Sequence, residues 1–134
     1  MLATPTDTAL STELAEAVDR ARDFAKASKA HATRKAYAAD LRDFAAYCQR
    51  IGALALPADP AVVGTYLATI SETKSVATIR RRMVAIAQAH KDAGAPNPVA
   101  HRDVQKVLAG IARTKTVAQT RKDALTTERL DYKR

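Results

Sequence analysis

The sequence is poor in the residues that build disulfide-linked, metal-binding or strand-rich proteins. Its 134 residues include one cysteine, no tryptophan, four glycines and five prolines. Because Cys48 is alone, an internal disulfide is excluded, and with three scattered histidines it forms no metal-ligand pattern. Abundant alanine with little glycine or proline favours helices over strands. We therefore expect an all-α protein that holds no metal and no other cofactor.

Long hydrophobic runs are also lacking. No stretch approaches the roughly eighteen apolar residues that a transmembrane helix needs. The N-terminal stretch "MLATPTDTALSTELAEAV" lacks the basic start of a secretory signal. We therefore expect no membrane partner and a cytoplasmic location. With 134 residues the chain has the length of one domain and can bury a core without disulfides.

The motifs of a free-standing enzyme are missing as well. The sequence contains no glycine-rich phosphate-binding loop, no metal-ligand cluster and no nucleophile paired with a base. We expect these residues to catalyse no reaction and to bind no small-molecule substrate.

Charge is plentiful and unevenly distributed. The net charge is +8 and the pI is about 9.9. Residues 1–28 contain three basic and five acidic residues, a net charge of −2, so the other nineteen basic and nine acidic residues give 29–134 a charge of +10. The basic charge of residues 29–134, which follow an acidic N-terminal segment, indicates a polyanionic partner, most simply nucleic acid. The alternative is a helical transcriptional regulator or protein-interaction domain whose basic surface meets an acidic protein.

Apolar periodicity predicts five helices and no strand. The first two cover about 11–27 and 33–50, separated at Ser28 and ended by Gly52. The third starts at Pro60 behind an Asp59 N-cap, and the fourth lies between Ser75 and 94. The fifth covers about 102–113. We expect a compact bundle of four to five helices with an N-terminal acidic helix in 1–28, a helical core in 29–114 and a basic linker in 115–134.

The apolar stripes of these helices predict the core. In the second helix the stripe runs from Tyr37 through Phe44 to Cys48, and Tyr47 lies off this inward side. In the fourth helix it ends at His90, which we expect to be a buried, hydrogen-bonded structural histidine. Tyr66 belongs to the same predicted interior.

Two helices carry basic side chains opposite their apolar stripes. At about 100° per residue, Arg81 lies opposite the stripe of the fourth helix and Arg80 and Arg82 flank it. No carboxylate near them in the sequence answers the three arginines. Small or amide side chains lie beside these cations, which would let a helix approach a DNA groove. These side chains are Ala77, Ala85 and Gln88 in the fourth helix and Ala39, Ala46 and Gln49 in the second, where they share a face with the cations Lys35 and Arg42.

The order and spacing of these segments resemble a known family. The segments are "ATRKAYAADLRDFAAYCQRIG", "LPADPAVVGTYLATI", "SVATIRRRMVAIAQAHKDAGAPNPV" and "VQKVLAGIART". They resemble the N-terminal core-binding domain of tyrosine recombinases, the phage integrase family, and look most similar to its Cre-like branch. The resemblance covers about 29–130, and "KDALTTERL" looks like the start of the family's catalytic domain.

The resemblance implies a helical bundle that forms half of a clamp around double-stranded DNA. Two helices would lie along the major groove, and the first helix would contact a neighbouring protomer on DNA. From the sequence, its apolar residues Leu10, Leu14, Val18 and Phe24 either form part of an ordinary core or supply this contact, since the helix differs in charge sign from the body. Strand cleavage in the family belongs to a C-terminal domain outside these residues. "HATR" (31–34) and Tyr132 are therefore not expected to be catalytic. By position, the implied DNA-binding residues are Lys35, Ala36, Arg42, Ala77, Arg80, Arg81 and Arg82. Four more basic residues would either follow the DNA phosphates or be solvated charges of the linker: Arg113, Lys115, Arg121 and Lys122.

Overall fold

The computed structural model describes the backbone of residues 3–133 and the side chains of residues 9–125. The all-α prediction is confirmed: within those ranges the chain forms four α-helices, one turn of 3-10 helix and no strand. The helices are α1 (Ala3–Ile51), α2 (Pro60–Ile70), α3 (Val76–Asp92) and α4 (Arg102–Lys133), and the 3-10 turn is Pro98–Ala100. The chain divides into two units, Met1–Ala36 and Tyr37–Arg134.

Helix α1 is continuous, so the predicted end of a first helix near Ser28 is wrong. Residues 27–33 contain neither glycine nor proline, and their alanine and lysine are good helix formers. A single serine costs too little to interrupt the backbone hydrogen bonds. The helix ends where predicted, because Gly52 takes a φ of 72° that residues other than glycine rarely adopt.

The predicted starts of α2 and α3 are confirmed. The carboxylate of Asp59 accepts a hydrogen bond from the Ala61 amide at 2.8 Å, ahead of Pro60. The hydroxyl of Ser75 accepts one from the Thr78 amide at 3.2 Å. These caps fix the start of α3, which carries the run of arginines.

Helix α4 extends far past the end predicted near residue 113, and the expected basic linker is helical. Its threonine hydroxyls donate to carbonyls four residues back, for example Thr114 to Gly110 at 2.8 Å. The Gln119 amide donates to Asp123 one turn later at 2.9 Å. With no proline or glycine after Gly110, nothing local ends the helix.

The second unit has one hydrophobic core, to which each of its helices contributes. Phe44 packs edge-on against Tyr66 with ring centroids 5.0 Å apart. Tyr47, predicted to lie off the inward side, is buried in this core, where its ring packs against Tyr66 and its hydroxyl donates to Thr65 at 2.9 Å. Burial raises the pKa of the Cys48 thiol. The fully buried side chains are Tyr66, Phe44, Leu67, Ile79, Ile86, His90, Val63, Val104 and Cys48.

His90 ties α3 to the loop before α2, which confirms its predicted structural role. Its Nε2 accepts a hydrogen bond from the Ala58 amide at 2.9 Å, so Nδ1 carries the proton and donates to the Ile86 carbonyl at 2.8 Å. With 1% of its surface exposed, the ring is in contact with protein on all sides.

The first unit exposes its apolar side chains. Leu10, Leu14, Val18 and Phe24 are 59%, 65%, 40% and 74% exposed. The alternative that these residues form an ordinary core is therefore wrong for their described side chains. In the part of the chain that the structure describes, no helix is both long and apolar enough to cross a membrane.

Candidate nucleic-acid interface

Arg81 is held by a carboxylate from another helix. Its Nε donates to Oδ2 of Asp40 and its Nη2 to Oδ1, both at 2.9 Å. This parallel pair is the strongest geometry that an arginine and a carboxylate form. Asp40 lies on α1 and is 4% exposed, whereas the Arg81 side chain is 46% exposed. The bonds and charge of Asp40 raise the pKa of Arg81 above its usual value.

Arg82 belongs to a closed polar triangle with Tyr66 and Asp43. Nη1 of Arg82 donates to Oδ2 of Asp43 at 2.7 Å and to the Tyr66 hydroxyl at 2.9 Å. The Tyr66 hydroxyl in turn donates to the same Asp43 oxygen at 2.7 Å. Burial and the bond to Asp43 raise the pKa of Tyr66, so its phenol stays protonated and able to donate.

The two ion pairs are joined through Asp40. Nε of Arg82 lies 3.5 Å from Oδ1 of Asp40, within ion-pair distance. It is the one buried side-chain nitrogen or oxygen of the described residues that makes no hydrogen bond. Burial lowers the pKa of Arg82, but the bond to Tyr66 and the charges of Asp43 and Asp40 outweigh it and the net shift is upward. Two arginines and two aspartates thus form a network with no net charge.

Two of the three arginines, which have no carboxylate near them in the sequence, thus pair with carboxylates of another helix. Asp40 and Asp43 are distant in sequence and reach Arg81 and Arg82 only because α1 packs beside α3. The Arg82 side chain is 12% exposed and its guanidinium contacts Asp43, Tyr66 and Asp40, so little of it is available to DNA, and its predicted DNA contact stays a prediction.

Arg80, the first of the three arginines, is exposed and forms no ion pair with any described side chain. Ala77 is also exposed, as predicted. Ala85, predicted to lie beside Arg81 on the outward side, is instead 1% exposed. The buried side of α3 is therefore wider than the predicted stripe of Ile79, Met83, Ile86 and His90, and it includes Ala85.

On α1, Arg42 is exposed and forms no ion pair with a described residue. Lys35 is likewise exposed and Ala36 is half-buried; both belong to the first unit, directly before its boundary at Tyr37. All three were predicted to contact DNA, and their exposure is compatible with it.

The four basic residues predicted after the core lie on α4. Arg113, Arg121 and Lys122 are exposed, and Arg113 and Arg121 line one shallow groove with Val117. Lys115 is half-buried and lines a second, mostly apolar groove, the other lining residues being Ser71, Val107, Gly110, Ile111, Thr114 and Ala118. Neither groove is lined by a residue of the network around Asp40.

Asp40, Asp43 and Tyr66 were missed as determinants of this surface. A signal was present, because Asp40 falls on the apolar stripe of α1 between Tyr37 and Phe44. A carboxylate in such a position is rarely buried without a cationic partner. Which cation pairs with it depends on how the helices pack, and this the local pattern does not give.

Residues set aside as non-catalytic give no further site. His31 of "HATR" is exposed on α1, and Tyr132 lies outside the described side chains. Among the described residues, no three histidine, cysteine, aspartate or glutamate side chains are grouped so as to hold a metal ion.

Comparison with known proteins gives one informative similarity. No family model matches the chain. Over 106 residues the chain is 35% identical to an "Integrase/recombinase xerD homolog" from Selenomonas ruminantium. The aligned region covers 77% of this chain and 31% of that protein, so the chain spans about a third of the relative's length. This partial similarity supports the relation to tyrosine recombinases indicated by the sequence.

We predict that Tyr66→Phe lowers the free energy of unfolding by about 1–2 kcal/mol, because Arg82 and Asp43 each lose a buried hydrogen-bond partner. Urea unfolding followed by far-UV circular dichroism measures this. Tyr37→Phe is the matched control: Tyr37 is half-buried and forms no hydrogen bond with a described residue, so it should change stability by less than about 0.5 kcal/mol. Equal stability of the two variants would show that the triangle contributes nothing.

Proposed function

We propose that this chain binds double-stranded DNA as the core-binding module of a site-specific tyrosine recombinase. The observation that carries the proposal is the separation of the basic residues into two groups. Arg81 and Arg82 are paired with Asp40 and Asp43, whereas Arg42 and Arg80 are exposed and pair with no described carboxylate. Such free cations are what phosphate contacts require. The similarity to an integrase/recombinase supports DNA rather than an acidic protein as the partner.

The module would form half of a clamp on a recombination site. Arg42 on α1 and Arg80 with Ala77 on α3 would face the DNA. For Lys35 and Ala36, which belong to the first unit, DNA contact stays the prediction made from the sequence. The grooved basic surface of α4 would extend the phosphate contacts through Arg113, Lys115, Arg121 and Lys122. Phosphate contacts position a protein on DNA, whereas base contacts specify a sequence, so most of these residues would set affinity.

Strand cleavage would belong to a different domain of such a recombinase. About two-thirds of the relative lies outside the aligned region, which leaves room there for a separate catalytic domain. In this proposal the 134 residues bind DNA in the cytoplasm and cut nothing. Membership of the Cre-like branch stays a prediction.

The first unit would carry the contact between protomers on DNA. Leu14, Val18 and Phe24 are exposed apolar side chains on a segment whose net charge is −2, and such a segment is repelled by phosphates. A second copy of the chain is a partner that the acidic segment does not repel, since its body is basic.

We predict that the chain binds a mixed-sequence duplex with strong salt dependence. With roughly five phosphate contacts, affinity should fall about 500-fold between 50 and 200 mM salt because bound counterions are released. Arg80→Ala should lower affinity and reduce the slope of log K against log salt by about 1. Fluorescence anisotropy of a labelled duplex measures both quantities.

Arg22→Ala is the control for the loss of one positive charge. Arg22 lies in the acidic first unit, 4.0 Å from Asp19, and should leave the salt slope unchanged. An affinity that does not depend on salt, or equal effects of the two variants, would exclude a phosphate-binding surface at Arg80. Binding that is confined to acidic proteins would favour the interaction-domain alternative.

We predict that the combined Leu14→Gln and Phe24→Gln variant binds DNA but loses cooperativity. Burial of each side chain between protomers would contribute about 1.5 kcal/mol. Loss of both contacts should therefore lower the factor by which one bound copy tightens binding of the next by at least about tenfold. Gel mobility shifts on a duplex with room for several copies resolve the stepwise complexes. Leu125→Gln, at another exposed leucine (60%), is the control. Unchanged cooperativity would show that the contact between protomers lies elsewhere.

A further inference from the structure

The Arg81 guanidinium is fixed along one edge and open along another. Nε and one proton of Nη2 are donated to Asp40. Both protons of Nη1 and the second proton of Nη2 are left, since Arg81 makes no other hydrogen bond with a described residue. Nearly half of the side chain, 46%, is exposed. The open edge thus presents two parallel N–H donors at the surface next to α1.

Asp40 is in turn fixed by its surroundings. It is 4% exposed and lies among the core residues of α1, four positions before Phe44. Its Oδ1 also has Nε of Arg82 at 3.5 Å. Because the carboxylate has no room to turn, the Arg81 guanidinium that it holds has its orientation set by the protein. Arg80, with no ion pair to a described residue, has no such support.

We infer that Asp40 is a positioning residue that aims the open edge of Arg81 at paired acceptor atoms on DNA. This inference rests on the proposed function and adds to it that Asp40 orients an arginine that contacts DNA. Two parallel N–H donors match either the O6 and N7 atoms of guanine or two phosphate oxygens. An arginine that is already oriented loses less side-chain freedom on binding, so its contact gains affinity.

Charge alone predicts the opposite effect of Asp40. A carboxylate near a DNA-binding surface repels phosphates and cancels the charge of Arg81, so its removal would raise affinity for DNA. If Asp40 acts by orienting Arg81, its neutralisation lowers affinity in spite of the lost repulsion. The sign of the change therefore separates the two roles.

The experiment compares Asp40→Asn, Arg81→Ala and the double variant in the full chain, with duplex binding measured at low salt. Asp40→Asn should weaken binding about fivefold and Arg81→Ala about tenfold, since each removes an oriented pair of donors. The double variant should bind no more weakly than Arg81→Ala, because Asp40 acts through that arginine.

Asp43→Asn is the matched control. It removes the same charge from the same helix, but its partners are Arg82 and Tyr66 rather than Arg81. It should bind DNA as tightly as the unmodified chain or more tightly. Thermal unfolding of every variant shows which of them are folded at the temperature of the assay.

Arg81→Lys provides a second readout that leaves Asp40 in place. Lysine keeps the positive charge but lacks the planar pair of donors, so we expect a loss close to that of Arg81→Ala. Duplexes made only of A·T or only of G·C pairs separate the two acceptors. A loss confined to G·C duplexes identifies guanine, and an equal loss in both identifies phosphate.

Two results would overturn the inference: tighter binding by Asp40→Asn, or additive losses in the double variant. Arg81→Lys binding as well as the unmodified chain would also contradict it. These failures differ from failure of the proposed function, in which the unmodified chain would bind no duplex and Arg80→Ala would have no effect.

Discussion

The carboxylate of Asp40, buried between α1 and α3, is the constraint on which the surface of this protein depends. A buried aspartate is costly unless it is paired, and here two arginines of α3 approach it from one side. Loss of either partner would leave an uncompensated charge in the interior. The packing of α1 on α3 and the pairing of Asp40 therefore require each other, and together they decide which arginines remain available at the surface.

Three consecutive arginines consequently have three different environments. Arg82 is drawn inward by Asp43 and Tyr66 and helps to hold three helices together. Arg81 is shared between the interior and the surface, because Asp40 occupies one edge of its guanidinium. Arg80 is exposed to solvent. A run that looks like one cationic cluster in the sequence is thus one structural residue, one oriented residue and one free charge, so its attraction for phosphates is smaller than three charges suggest.

Local signals in the sequence predicted where helices begin and end better than they predicted which side chains of different helices pair. Asp59 and Ser75 mark helix starts by their side-chain hydrogen bonds, and Gly52 marks an end by its positive φ, so these boundaries were predictable. His90 was likewise recognisable from its place on an apolar stripe. The continuity of α1 and the length of α4 were not predicted, because a polar stretch without glycine or proline reads as a linker when no apolar stripe supports it.

The candidate site was predictable in its residue types but not in its geometry. The exposed Arg42, Arg80 and Lys35 follow from helical periodicity. Arg81 and Asp40 are 41 positions apart in the sequence, and they meet only because α1 and α3 pack together with these two side chains facing each other. Ala85 shows the resulting error, since it was predicted at the surface and is 1% exposed.

Backbone amide chemical shifts of the isotope-labelled chain decide whether the free cations beside this network face DNA. On addition of a duplex at low salt, we expect the shift changes to concentrate in residues 76–82 of α3 and in the part of α1 around Arg42, while the Arg81 side-chain Nε–H stays bonded to Asp40. Shifts confined to residues 9–28, or none in α3, would contradict it.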